Sequence, residues 1–333
     1  MRCALSKRQL SLVRFGLFLI VACLLAASAD LALAVEGKIV FTSERDGEKA
    51  VYVMDGDGGG ASKVAEGAYP AWHPDGQSIS FLYEGDLWLT DLNGSIRENL
   101  TNGRVSLGSC VPVSWSPDGR QIAYWGNSDQ GWGVSAMDVN GRYKQIVSAD
   151  WNRDGRVSWS PDGRNIAYSE MRKLDPPFNR FGSDIFVVNA NGSNSVNLTA
   201  NPAPFNISAS WSPNGKKIAY VASPKPFLWL PPHNIHVMNA DGSNPVMLTE
   251  AGRWVYEWNP TWSPDSRRIA FAKQTPDGFK DIFSMNADGS DLRYLTQTHR
   301  VEEEYPAWSP GAQAVSPSAK LVTQWGAVKH PGD

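Results

Sequence analysis

The phrase Trp-Ser-Pro-Asp-Gly occurs at residues 115–119 and again at 159–163, and four variants extend the series. They are Trp72-His73-Pro74-Asp75-Gly76, Trp211-Ser212-Pro213-Asn214-Gly215, Trp262-Ser263-Pro264-Asp265-Ser266 and the shortened Trp308-Ser309-Pro310-Gly311. The tryptophans are separated by 43, 44, 52, 51 and 46 residues. A period of that length means a chain built from units that cannot bury their apolar faces alone and must stack on their neighbours.

Three further segments follow each marker in fixed order. A short apolar run comes first, as in Ile122-Ala123-Tyr124 and Ile218-Ala219-Tyr220. A second run ends in Asn or Asp, as in Ile185 to Asn189 and Ile282 to Asn286. The third follows a turn, as in Asn99-Leu100-Thr101, Asn197-Leu198-Thr199 and Tyr294-Leu295-Thr296. The runs are short and rich in aromatic and β-branched residues, which predicts strands. Pro-Asp-Gly and Asn-Ala-Asp-Gly-Ser are turn sequences: Pro presets φ, Asp bonds nearby backbone, and Gly accepts positive φ. Each unit therefore reads as a four-stranded antiparallel meander, A-B-C-D, and the period as that of a β-propeller blade.

The two ends fix the number of units. Residues 38–66 supply strands B, C and D with no A before them, and residues 305–308 supply an A with nothing after it. Joined, they form one composite blade. The fold class is thus all-β, a six-bladed propeller of four-stranded antiparallel blades closed by strands from both termini, an arrangement that hides sheet edges.

The markers resemble the TolB-type propeller repeat over about residues 38–310. That resemblance implies a TolB-like propeller and says little about its task, because one propeller hosts many functions. TolB itself carries an α/β domain ahead of its propeller, whereas here Ala34 almost adjoins the first strand at Ile39. A Tol-Pal role is therefore not expected. TolB-like propellers also stand beside hydrolase domains in prolyl-oligopeptidase-like enzymes, and no segment is left here for such a domain.

Arg2, Lys7, Arg8 and Arg14 precede an apolar stretch from Phe15 to Ala27, and Ala32-Leu33-Ala34 is a small-x-small cleavage sequence. This is the pattern of an export signal, with an apolar run too short for a comfortable membrane span. Ala27-Ser28-Ala29 is a second cleavage candidate. Ile20-Val21-Ala22-Cys23 is a lipobox-like alternative that would anchor the chain through Cys23. The expected division is a signal at 1–34, a propeller at 35–311 and a flexible tail at 312–333, and the expected location is periplasmic or secreted. Cys110 is the sole cysteine after the signal, which excludes an intramolecular disulfide in the mature body. The net charge is −3, and the basic signal makes the body more acidic still. Nucleic acid is not expected as a partner, nor is a membrane span in the mature chain, and a monomer is expected.

Strands alternate in direction, so the uniform A–B and C–D turns share one face and the irregular B–C and D–A connections share the other. The irregular loops are aromatic. They carry Trp125, Trp132, Trp151, Phe178, Phe227, Trp229, Trp254, Tyr256 and Trp258 as candidate binding residues. Aromatic residues on loops above a rigid scaffold suit recognition, and the alternative is that they cap the core. No Gly-x-Ser-x-Gly, His-Glu-x-x-His or phosphate-binding Gly loop is present. No catalytic, metal or cofactor residues are assigned. Asp55-Gly56-Asp57-Gly58 reads as a hairpin because it lacks the spaced ligands of a calcium loop. Glu302-Glu303-Glu304 reads as a solvated charge run or an acidic rim. His233 and His236, three apart on a strand, point to opposite faces. The expected function is an exported, non-catalytic scaffold that binds a protein partner through the irregular face. The alternatives are a channel-mouth lyase or hydrolase and a binder of glycans or small ligands.

Overall fold

The computed structural model describes residues 37–95, 97–103, 106–107, 112–128, 131–138, 142–148, 156–173, 181–200, 205–223, 232–252 and 255–311. Among these residues every regular element is a strand. The composite sheet is present: Glu303–Trp308 pairs antiparallel with Lys38–Ser43, which pairs with Ala50–Asp55 and then Ser62–Glu66. The register sets Ile39 opposite Trp308 and Val40 opposite Ala307.

A second meander runs Ala68–Trp72, Ser78–Tyr83, Asp86–Asp91 and Arg97–Asn99. In the third, the inner strand comes in two pieces, Ser106–Leu107 and Ser114–Trp115, both paired with Gln121–Ser128; Gly131–Asp138 and Tyr143–Ser148 follow. The fourth (Val157–Trp159 to Val196–Asn197) and fifth (Phe205–Trp211 to Val246–Met247) are joined by a parallel bridge of Ser183 and Phe205 into one larger sheet. The sixth runs from Glu257–Trp262 to Arg293–Tyr294. The inner strand of each meander touches the next, and the sixth touches the composite sheet, so the ring closes.

The core lies between sheets. One apolar cluster joins Val40, Val51 and Val53 of the composite sheet to Trp72, Ile79 and Phe81 of the second. Another joins Leu87 and Leu89 to Trp115, Ile122 and Tyr124. Because both faces of each inner sheet are covered, strands such as Ile39–Ser43 are buried without alternation. The marker tryptophans fill these seams, and their loss removes large apolar area from the interior.

Turn chemistry explains the rest of the repeat. In Asn189–Ser193 the Asn191 carboxamide oxygen accepts from Ser193 N–H and from its hydroxyl. Gly192 turns there at φ 90°, and a Cβ on it would lie 2.6 Å from the Ile146 carbonyl of the preceding meander. Only glycine meets both demands. The Leu-Thr pair that follows the outer strand in four of the six meanders is also accounted for: the hydroxyls of Thr101, Thr199, Thr249 and Thr296 accept the backbone N–H of Leu87, Ile185, Ile235 and Ile282 at 2.8–3.0 Å. Asp55-Gly56-Asp57-Gly58 is a hairpin, with Gly58 N–H donating to Asp55 O.

Candidate functional site

The six markers do more than pack. Their inner strands surround a cavity of about 1120 Å³ on the axis of the ring. Its lining runs from Pro70, Pro112, Arg156 and Tyr305 down to the marker turns, and it includes Pro74, Pro117, Pro161, Pro213, Pro264 and Pro310. Pro161, Pro213, Asn214 and Asp118 are exposed, so this end meets solvent. A cavity of this size exceeds the usual range for small-molecule pockets.

Two backbone devices hold the wall. The residue three before the marker tryptophan is left-handed in four inner strands: Tyr69 (φ 57°), Ser208 (φ 56°), Asn259 (φ 55°) and Tyr305 (φ 54°). Pairing registers shift at the same places, between Ala68 and Ala71, Ile207 and Ser210, and Trp258 and Thr261. These are bulges, which sharpen the local twist and bend each strand around the axis. The second device is a hydroxyl just before the marker. Ser114 Oγ accepts Trp159 N–H and Ser158 Oγ accepts Trp211 N–H, both at 3.0 Å and both between neighbouring sheets.

The turns at the mouth are electrostatically fixed. Asp162 accepts from the Ser160 hydroxyl at 2.6 Å and from Arg164 N–H at 3.0 Å, and these bonds hold its carboxyl below the usual value. The same arrangement recurs at Ser116–Asp118 and Ser263–Asp265. The second marker substitutes His73 for serine, with Nδ1 3.0 Å from Asp75 Oδ2. Burial alone would raise Asp75, but the His73 contact and the Gln77 and Ser78 amides outweigh it and hold it at about 2. The cavity wall itself offers the carboxylates of Asp118 and Asp265 and the guanidinium of Arg156.

The opposite face carries the irregular loops. Trp151, Phe178, Phe227, Trp229 and Trp254 lie outside the described residues, as do Cys110, residues 1–36, where the export signal is expected, and residues 312–333. Trp125 sits within Gln121–Ser128, is 2% exposed, and packs with Val134, Tyr168 and Val188. Strands 121–128 and 131–138 extend into a long hairpin, which turns that ring inward. Trp132 is half-buried against the same cluster. Tyr256 and Trp258 stack with centroids 5.9 Å apart, and the buried ring of His233 meets both edge-on at 5.0 and 4.5 Å. His236 packs instead on Tyr220, and burial pushes it down to about 4.

The acidic run at 302–304 is not a solvated loop. Glu303 is fully buried at the start of the last inner strand and pairs with Arg45 and Ser43. Glu302 and Glu304 both pair with Lys280 of the sixth meander. Burial would lower Lys280, but the two carboxylates outweigh it and hold its pKa above the usual lysine value. Glu257 and Lys273 (2.9 Å) and Asp184 and Arg172 (2.8 Å) form comparable pairs on this face. The spacing from marker Trp to Glu, five residues in both Trp262/Glu257 and Trp308/Glu303, is the signal that links the two buried glutamates. Among the described residues no three His, Cys, Asp or Glu side chains gather as metal ligands would, and no helix is long and apolar enough to cross a membrane.

Solved structures share this architecture. TolB from Acinetobacter baumannii superposes with a TM-score of 0.67 at 21% identity, covering 84% of this chain and 68% of that one. A putative TolB from Agrobacterium tumefaciens gives 0.61 at 18% identity, covering 83% and 100%. An oligogalacturonate lyase in complex with manganese gives 0.50 at 16% identity, covering 79% and 75%. Identities this low speak for the fold alone. The family model described as the TolB beta propeller domain matches residues 68–312, well over half of the sequence. With the repeat, the ring and this match in agreement, the chain belongs to the TolB beta propeller domain family.

Proposed function

We propose that the protein is an exported, non-catalytic scaffold that holds a protein partner by seating a segment of it in the channel. The observation that carries this reading is the cavity of about 1120 Å³ ringed by marker prolines and tryptophans, with its carboxylates tied into turns. Such a wall offers broad apolar contact and few polar groups free to do chemistry, which suits recognition of an extended chain. The basic, apolar N-terminus of the sequence supports export. An enzyme reading, raised by the oligogalacturonate lyase, asks for converging titratable side chains. Among the described residues the channel wall has Asp118, Asp265, Arg156 and Tyr305, and the two carboxylates lie on opposite sides of the ring.

The test is affinity capture from the native envelope with the mature protein and with a Pro161→Lys/Pro213→Lys variant. Capture should fall at least tenfold in the variant. Equal capture would refute the channel as the seat. The irregular face is the second reading, favoured by the stacked Tyr256 and Trp258. Loss of capture in Trp229→Ala/Trp254→Ala/Tyr256→Ala, with the proline variant intact, would move the site there.

A further inference from the structure

The described ring ends inside its own cavity. Pro310 and Gly311 line the channel mouth, and Gly311 rests against Pro264. The described chain therefore ends at the rim of the seat and not at the outer edge of a sheet. The sequence of residues 312–333 complements the wall. Between Ala312 and Gly332 there is no acidic side chain, while Lys320 and Lys329 flank the apolar Leu321, Val322, Trp325 and Val328. The wall presents prolines and tryptophans together with Asp118 and Asp265 from the marker turns of the third and sixth meanders, on opposite sides of the ring, and one cation, Arg156, before the fourth marker turn.

We infer that the segment Leu321–Lys329 of this same chain occupies the channel mouth and competes with the segment the channel would otherwise receive. This rests on the channel being a peptide seat. Reach is sufficient: residues 312–320, fully extended, span about 30 Å, and Ser316-Pro317-Ser318 resists helix and favours a turn back. Trp325 supplies an anchor that can bury about 150–250 Å². The lysine stems lie along apolar surface while their ammonium groups reach the acidic turns. Tethering raises the local concentration of the segment to the order of millimolar. A segment with an affinity of only about 100 μM would then fill about ten channels in eleven. An incoming competitor would bind about tenfold more weakly than to an empty channel.

The probe is a fluorescein-labelled peptide of residues 319–331, followed by anisotropy. It should bind a chain ending at Gly311, bind the full chain about tenfold more weakly, and recover on the full chain when Trp325→Ala is introduced. Pro161→Lys/Pro213→Lys in the shortened chain should abolish binding. Equal affinity for the full and shortened chains, no binding to a folded shortened chain, or binding indifferent to the mouth variant would overturn the inference. Should the shortened chain fail to fold, the full chain compared with its Trp325→Ala variant decides the matter by the same tenfold criterion. Envelope capture separates the two readings: proline-dependent capture without peptide binding would remove the tail and leave the seat.

Discussion

Lys38 N–H donates to Ser309 Oγ across 2.9 Å although 271 positions separate the two residues. Ser309 N–H in turn donates to Lys38 O at 2.7 Å. This pair completes the composite sheet, in which the first described strand receives the last. Loop-closure entropy rises only logarithmically with length, so so distant a pairing costs little more than a nearer one.

Removing residues 303–333 should leave Lys38–Ser43 as an open apolar edge. Cooperative unfolding should be lost and the protein should self-associate. Thermal melts and sedimentation velocity check this; a monomer with an unchanged melting temperature would contradict the closure.

Glu303→Ala should cost about 3–5 kcal/mol, because it strands Arg45 and Ser43 without their buried acceptor. Glu303→Gln should cost less, since the amide oxygen still accepts from Arg45. Urea titrations of both variants check the order, and a loss under about 1 kcal/mol for the alanine would show that the pair is dispensable.

Ser208 sits at φ 56° in a fully buried bulge. Valine and glycine both remove its hydroxyl, so comparing them isolates the backbone. Ser208→Val should be at least about 2 kcal/mol less stable than Ser208→Gly, because a β-branched residue is strained there and glycine is not. Similar stabilities would argue against the bulge.

His236 titrates at about 4 in the folded protein because burial disfavours its charge, and near 6.5 when unfolded. Between those values the unfolded chain binds more protons. Stability should therefore fall as pH drops from about 6.5 to about 4, by up to about 3 kcal/mol from this group. His236→Phe, which keeps a ring against Tyr220, should flatten the slope in that window. An unchanged profile would assign the acid sensitivity elsewhere.

Much of the fold could be read from the chain. The spacing of the marker tryptophans, the Asn-Ala-Asp-Gly-Ser turns and the half-units at the ends all rest on local chemistry that repeats, and repetition lets weak signals reinforce one another. The site was less legible. Trp125 reads as a loop aromatic until the length of its hairpin is known, and then its ring faces the core. The left-handed Tyr69, Ser208, Asn259 and Tyr305 carry no glycine to announce them. Glu303 looks solvated within a run of three acids, and its burial against the half-buried Arg45, from the far end of the chain, shows otherwise.

By itself, the sequence determined the unit, its four strands and the way its ends complete one another, because turn chemistry and strand periodicity act over a few residues. Tertiary structure alone decided that the marker prolines converge on a single cavity, that the last described residues leave from its mouth, and which charges are paired and buried. Those properties arise from contacts between units far apart in the chain, and no local pattern encodes a distance across a ring.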